Sequence, residues 1–201
     1  RLVRLRARMV TEGIILAFAP LLELKDDLIS KFCIVGITNL SQVQGELRRT
    51  CIRHGAIDIL LKICKGKDES SENRERSIVA LSNLCRKSKE TETTQRILPI
   101  ILSLSHNEDE DSWERCTTAL RSLSQAKNNR FLLVKTEAVQ IAIGILKTLQ
   151  GRYAQTTTTE ENCVIFLCNL LFHKRSRAIV VENAILTKRL LSVIGYSNMR
   201  T

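Results

Sequence analysis

Three asparagines recur in one apolar phrase: Asn39 in GITNLSQ, Asn83 in IVALSNLCR and Asn169 in FLCNLLF, while ALRSLSQ keeps the frame with Ser122. Successive markers are 44, 39 and 47 residues apart. A primary amide donates and accepts hydrogen bonds at once. One amide per unit could hold the unpaired main chain of an extended segment without reading its side chains. The same amides could instead bond neighbouring loops, or carbonyls one turn back, and tie unit to unit. Asn costs roughly 0.6 kcal/mol against Ala inside a helix, so either use needs a compensating bond.

Catalytic chemistry has little to stand on. The phosphate-loop, dinucleotide-fold, nucleophile-elbow and zinc-protease motifs do not occur. His54, His106 and His173 are isolated, each in a different part of the chain and near a helix end. The seven cysteines (33, 51, 64, 85, 116, 163 and 168) form no C-x-x-C pair and are odd in number. They sit among apolar residues as small hydrophobes, which suits a reducing compartment better than a disulfide framework. NEDEDSWE (107–114) lacks the glycine and terminal glutamate of a calcium loop. Its carboxylates suit a helix start, with Asp111 or Ser112 as the expected cap. The expectation is a non-enzyme with no cofactor, no metal and no small-molecule substrate.

The elements that carry the asparagines follow from composition and periodicity. Two prolines and eight glycines are few for 201 residues, which favours helices over sheet. At 4% aromatics the core must be built from Leu, Ile, Val and Ala. No apolar stretch reaches the ~18 residues needed to span a membrane. A second phrase precedes each Asn/Ser marker: TEGIILAFAPLLEL, RHGAIDILLKICK, TQRILPIILSLS, KTEAVQIAIGILKTL, and once more ENAILTKRLLSVIG. Two independent markers sharing one period indicate a helical repeat of ~40–47 residues. In the clearest unit, 44–54 reads as a first helix that stops before Gly55, which permits the sharp turn. Residues 56–65 read as a second helix, KGKDESSEN breaks the pattern, and a third runs from about Ser71 to Arg86. Such units cannot bury their apolar faces alone and must stack. The chain opens without an initiator Met or a secretory signal pattern, so it reads as a fragment of something longer.

HGAIDILLKIC followed by SIVALSNLCR resembles the armadillo repeat, with its Gly-Ala step before the second helix and its ALSNL phrase in the third. The resemblance implies an all-α fold, a right-handed α-solenoid of three-helix repeats. It assigns 1–42, 43–87 and 126–172 to repeats, the last with a Thr-rich loop at 151–161. Residues 88–125 form a degenerate, partly HEAT-like unit without the glycine, and 173–201 a partial fifth. It further implies that the third helices line a groove in which Asn39, Asn83 and Asn169 contact a bound peptide. Residues three and seven away share that face. The expected lining is Phe32, Val35, Asn39 and Gln42; Arg76, Val79, Asn83 and Arg86; Arg115, Thr118, Ser122 and Gln125; Asn162, Ile165, Asn169 and Phe172. The three arginines fit carboxylates or phosphates, or else pair with Glu72, Glu75 and Glu114 on their own helices. Where importin-α-type proteins place tryptophans for basic peptides, this chain has Val35, Val79, Thr118 and Ile165. Trp113 is expected to pack locally. The groove therefore suits an acidic extended segment with apolar anchors.

The net charge of +10 points to acidic partners without choosing among them. Arg48, Arg49, Arg53, Lys87, Lys174, Arg175 and Arg177 would form a basic ridge if the solenoid aligned them. No aromatics interleave, so base stacking is not supported. The expectation is a protein-binding scaffold or adaptor, cytoplasmic, with the cytoskeleton, a cilium or the nucleus as settings. It would serve as a structural subunit of a larger assembly. The alternative is a helical-repeat protein that uses the ridge to bind RNA or another phosphate backbone.

Overall fold

The computed structural model describes residues 2–41, 45–66, 68–86, 91–107, 109–149 and 157–172, with positions 152, 174 and 177. Gln42, Lys87, His173, Arg175, nearly all of the Thr-rich segment and residues 178–201 of the expected fifth repeat lie outside them. The described residues form helices and turns with no strand: α1 (Leu2–Thr11), α2 (Ile14–Leu22), α3 (Asp27–Ser41), α4 (Glu46–Arg53), α5 (Ala56–Lys65), α6 (Ser71–Cys85), α7 (Glu92–Ser103), α8 (Glu110–Ser124), α9 (Lys127–Val134), α10 (Ala138–Leu149) and α11 (Thr158–Leu171). A 3₁₀ turn, Leu104–His106, leads from α7 towards α8. The chain divides into two compact units, Arg1–Cys85 and Arg86–Thr201.

In the first unit two triplets stack in register. α1 packs on α4, α2 on α5 and α3 on α6. The corner between first and second helices is made by Gly13 (φ 84°) in one triplet and Gly55 (φ 86°) in the other. Both φ values lie in the left-handed region, where an L side chain costs about 1–2 kcal/mol. The interior holds Val10, Ile15, Ile37, Leu60, Leu81 and Leu84, all fully buried. α3 starts at Asp26, whose carboxylate accepts from the Ile29 N–H at 2.9 Å. Ser70 does the same for α6, accepting from the Asn73 N–H at 3.2 Å.

In the second unit α8 and α11 pack side by side, α9 and α10 bracket them, and α7 leans on α8. Its interior is Ile101, Leu120, Leu123, Leu133, Phe166 and Leu167. A fully buried side chain of this kind contributes roughly 1.5–3 kcal/mol. Trp113 is buried at the start of α8 and lines a narrow cleft with Ile141, Gly144 and Ile145 of α10. The cap of α8 is Asp109, earlier than the expected Asp111 or Ser112: its carboxylate accepts from the Ser112 N–H at 2.7 Å. The cap accepts from an N–H two or three residues on, and Asp109 is the carboxylate so placed before Ser112. α11 opens with a capping box in which Thr157 and Glu160 satisfy each other's backbone N–H groups. The α9–α10 corner has no glycine. There the Thr136 hydroxyl donates to the Leu133 carbonyl at 2.8 Å.

Candidate functional site

In the first unit the third helices α3 and α6 lie against each other. Helical spacing puts Phe32, Val35 and Asn39 on one face of α3, and all three are exposed, Phe32 by 64%. Along α6 from Glu75 to Cys85, only Arg76, Val79 and Asn83 escape full burial. Three and four residues apart, they form one line on the helix. Arg76 Nε donates to Glu72 Oε1 at 3.0 Å, and Nη2 reaches the same oxygen. This arginine is therefore paired along its own helix while 38% of its side chain faces solvent. Asn83 is half-buried and engaged in an interaction of its own.

The second unit treats its markers differently. Arg115, Thr118, Ile165 and Asn169 are half-buried, and Gln125 and Phe172 are exposed. Ser122 and Asn162 turn inward, 7% and 2% exposed, against the expectation that they line an open surface. The reason is the close packing of α8 on α11. Asn162 accepts from Arg121 Nη1 at 2.9 Å and donates to the Thr118 hydroxyl at 2.9 Å. Asn169 donates to the Ser124 hydroxyl at 3.0 Å. Here the amides join neighbouring helices, one of the two uses the sequence left open. Arg86, at the start of this unit, is half-exposed, with a buried Nε that has no hydrogen-bond partner.

Asn73 was not singled out from the sequence, yet it performs the same task in the first unit. Its buried amide donates to the Asp27 carbonyl at 2.8 Å and to the Asp27 carboxylate at 2.9 Å. The Ser70 N–H donates to that carboxylate at 3.2 Å. Hydrogen bonds from Ser70, with a smaller one from Asn73, hold the Asp27 carboxyl below its ordinary value. The available signal was the interval: Asn73 follows Asp27 by 46 residues, about one repeat.

Of the residues expected in the basic ridge, Arg48, Arg49 and Arg53 lie in the first unit and Lys174 and Arg177 in the second, with Lys87 and Arg175 outside the described residues. Arg48 is buried, because α4 turns that side of the helix into the unit. Arg49 and Arg53 are exposed, and both pair with Glu46 on the same helix, at 3.2 and 2.7 Å. Lys174 is exposed, and Arg177 donates to the Leu171 carbonyl at 3.1 Å. His54 lies at the end of α4 and His106 beside the Ser103 carbonyl. The seven cysteines are free thiols, six of them buried. Burial pushes Cys64 and Cys116 up to about 12, so neither is a ready nucleophile. No helix among the described residues is long and apolar enough to cross a membrane.

No protein-family model matches the sequence, and no curated protein matches it. Solved structures do. Computationally designed armadillo repeat proteins for modular peptide recognition superpose with a TM-score of 0.68 at 17% identity, over 90% of this chain and 75% of theirs. A second designed armadillo repeat protein gives 0.66 at 16% identity over 93% and 73%. An engineered protein gives 0.66 at 14% identity over 85% and 68%. With the triplet stacking, these likenesses establish the fold: the chain is an all-α solenoid of armadillo-like repeats.

Proposed function

We propose that the protein is a non-catalytic interaction scaffold that holds an extended acidic segment of a partner protein along the third helices α3 and α6 of its first unit. The observation that carries this reading is the surface of the first unit. There the exposed Phe32, Val35 and Asn39 of α3 accompany the Arg76, Val79 and Asn83 line of α6. Phe32 and Val35 supply apolar anchors, Asn39 and Asn83 amides for a main chain, and Arg76 a cation for carboxylates. The designed relatives made for peptide recognition use the same fold, which supports the reading. Leu16, Leu21 and Leu24 leave further apolar surface exposed around α2. That surface supports a place as a structural subunit in a larger assembly.

The test is fluorescence anisotropy with a labelled peptide that alternates glutamate and leucine. Arg76→Glu, or Asn39→Ala with Asn83→Ala, should weaken binding about tenfold, roughly 1.4 kcal/mol. Unchanged affinity in those variants overturns the proposal. So does preferential binding of polynucleotide with a steep salt dependence that ignores Asn83→Ala.

A further inference from the structure

The two triplets of the first unit repeat each other: Gly55 answers Gly13 at the corners, and Ser70 answers Asp26 at the caps of the third helices. The second triplet shows what becomes of a second helix once another is stacked on it. On α5, Ile59 and Ile63 are 7% and 1% exposed. Their counterparts on α2, Ala17 and Leu21, are both exposed, Leu21 by 41%. With Pro20 and Leu24 they form a stripe at three- and four-residue spacing along α2 and the turn after it. α2, IILAFAPLL, has no charged or polar side chain. A helix apolar all round belongs in an interior, yet five of its nine residues are exposed.

The polar ties of the stack decide what can cover that stripe. The first triplet holds the second through Glu23 to Lys62, Lys25 to Asp68 at 3.2 Å, and Asp27 to Asn73 at 2.9 Å. A further repeat seated on α2 in the same manner would need receiving groups like these. Counted from the corner glycine and the third-helix cap, Lys62 is answered by Pro20, Asp68 by Leu24 and Asn73 by Ile29. Charges brought in by such a repeat would be buried there without partners. We infer that a second copy of this chain covers the stripe, the two α2 helices meeting about a two-fold axis. A neutral apolar surface is its own complement, and a two-fold interface opposes it to itself. The flanking charges Glu23 and Lys25 are already paired within their own copy. With Leu16 and Ile29 beside it, the stripe offers on the order of 400 Å² of apolar surface, close to the apolar share of the ~800 Å² that each partner of a standard interface buries. The inference rests on reading the exposed surface around α2 as an assembly surface, and it leaves Phe32 and Arg76 free for the acidic segment.

Sedimentation equilibrium of the whole chain should show monomer and dimer exchanging at micromolar concentrations. The dimer should tighten with added salt, which screens the +10 carried by each copy. Leu21→Glu should weaken it at least tenfold, with circular dichroism confirming that the helices are intact. Mixing Leu21→Glu with Leu21→Lys should restore it, because the interface then opposes unlike charges. A chain that stays monomeric overturns the assignment. So does a dimer that survives Leu21→Glu, or one that weakens as salt rises. Mass that grows without limit would mark end-to-end stacking and overturns the two-fold pairing as well. The acidic peptide should bind Leu21→Glu as tightly as the parent chain. Its failure to bind a chain that still dimerises overturns the third-helix reading alone.

Discussion

Asn162 and Asn169 sit seven residues apart on α11 and make different bonds, which yields a graded prediction. Asn162→Ala removes an acceptor from Arg121 and a donor from Thr118 in a buried place, and should cost about 1–3 kcal/mol. Asn169→Ala loses a single bond to Ser124 at a half-buried position and should cost about 0.5–1.5 kcal/mol. Urea denaturation of the two variants decides, and equal losses would show that burial does not separate them. Asn73→Ala belongs with Asn162→Ala, because it strips the buried amide from Asp27. The positions on the third-helix face could be read from their three- and four-residue spacing. Which of them face solvent could not, because that depends on how closely the adjacent third helix approaches. Asn73 went unread for the same reason, its partner lying on a different helix.

At the scale of the element, two glycines predict opposite outcomes for one substitution. A β-carbon at Gly55 or at Gly144 meets no atom within 4 Å. At Gly55 the backbone φ of 86° penalises any side chain, so Gly55→Ala should destabilise by about 1–2 kcal/mol. At Gly144, inside α10, the same change should stabilise by about 0.5–1 kcal/mol through helix propensity alone. Thermal melts of the two variants should move in opposite directions, and a shared direction would refute the corner geometry. The Gly55 corner was legible because only a few residue types permit such a turn. The start of α8 was read two or three residues late, since four carboxylates in a row offer several caps and only the three-dimensional register selects Asp109.

Across the whole molecule, the buried thiols link stability to pH. Burial holds Cys64 and Cys116 at about 12 against an ordinary 9.0. Above pH 9 the unfolded chain releases those protons and the folded chain keeps them, so stability must fall as pH rises past 9. Urea midpoints should drop between pH 7.5 and pH 10, and the drop should shrink in a Cys64→Ala/Cys116→Ala variant. An unaltered slope would exclude these two thiols as its source. The carboxylates act in the acid direction. Backbone and side-chain hydrogen bonds from Ser112 hold Asp109 low, as Ser70 and Asn73 hold Asp27. Their contribution is present above the ordinary carboxylate value of 3.8 and is lost as pH falls through the lower folded values.

The sequence alone determined the helical class, the repeat interval, the helices of the clearest unit and the faces of the third helices. Those properties rest on local spacing and on residue types that few backbone conformations accept. Tertiary packing alone decided that Ser122, Asn162 and Arg48 turn inward, and that Asn73 and Asn162 fasten neighbouring helices. Each of these outcomes depends on a second segment roughly one repeat away. Burial and partnership are properties of two surfaces brought together, and the spacing within one helix carries no record of its neighbour.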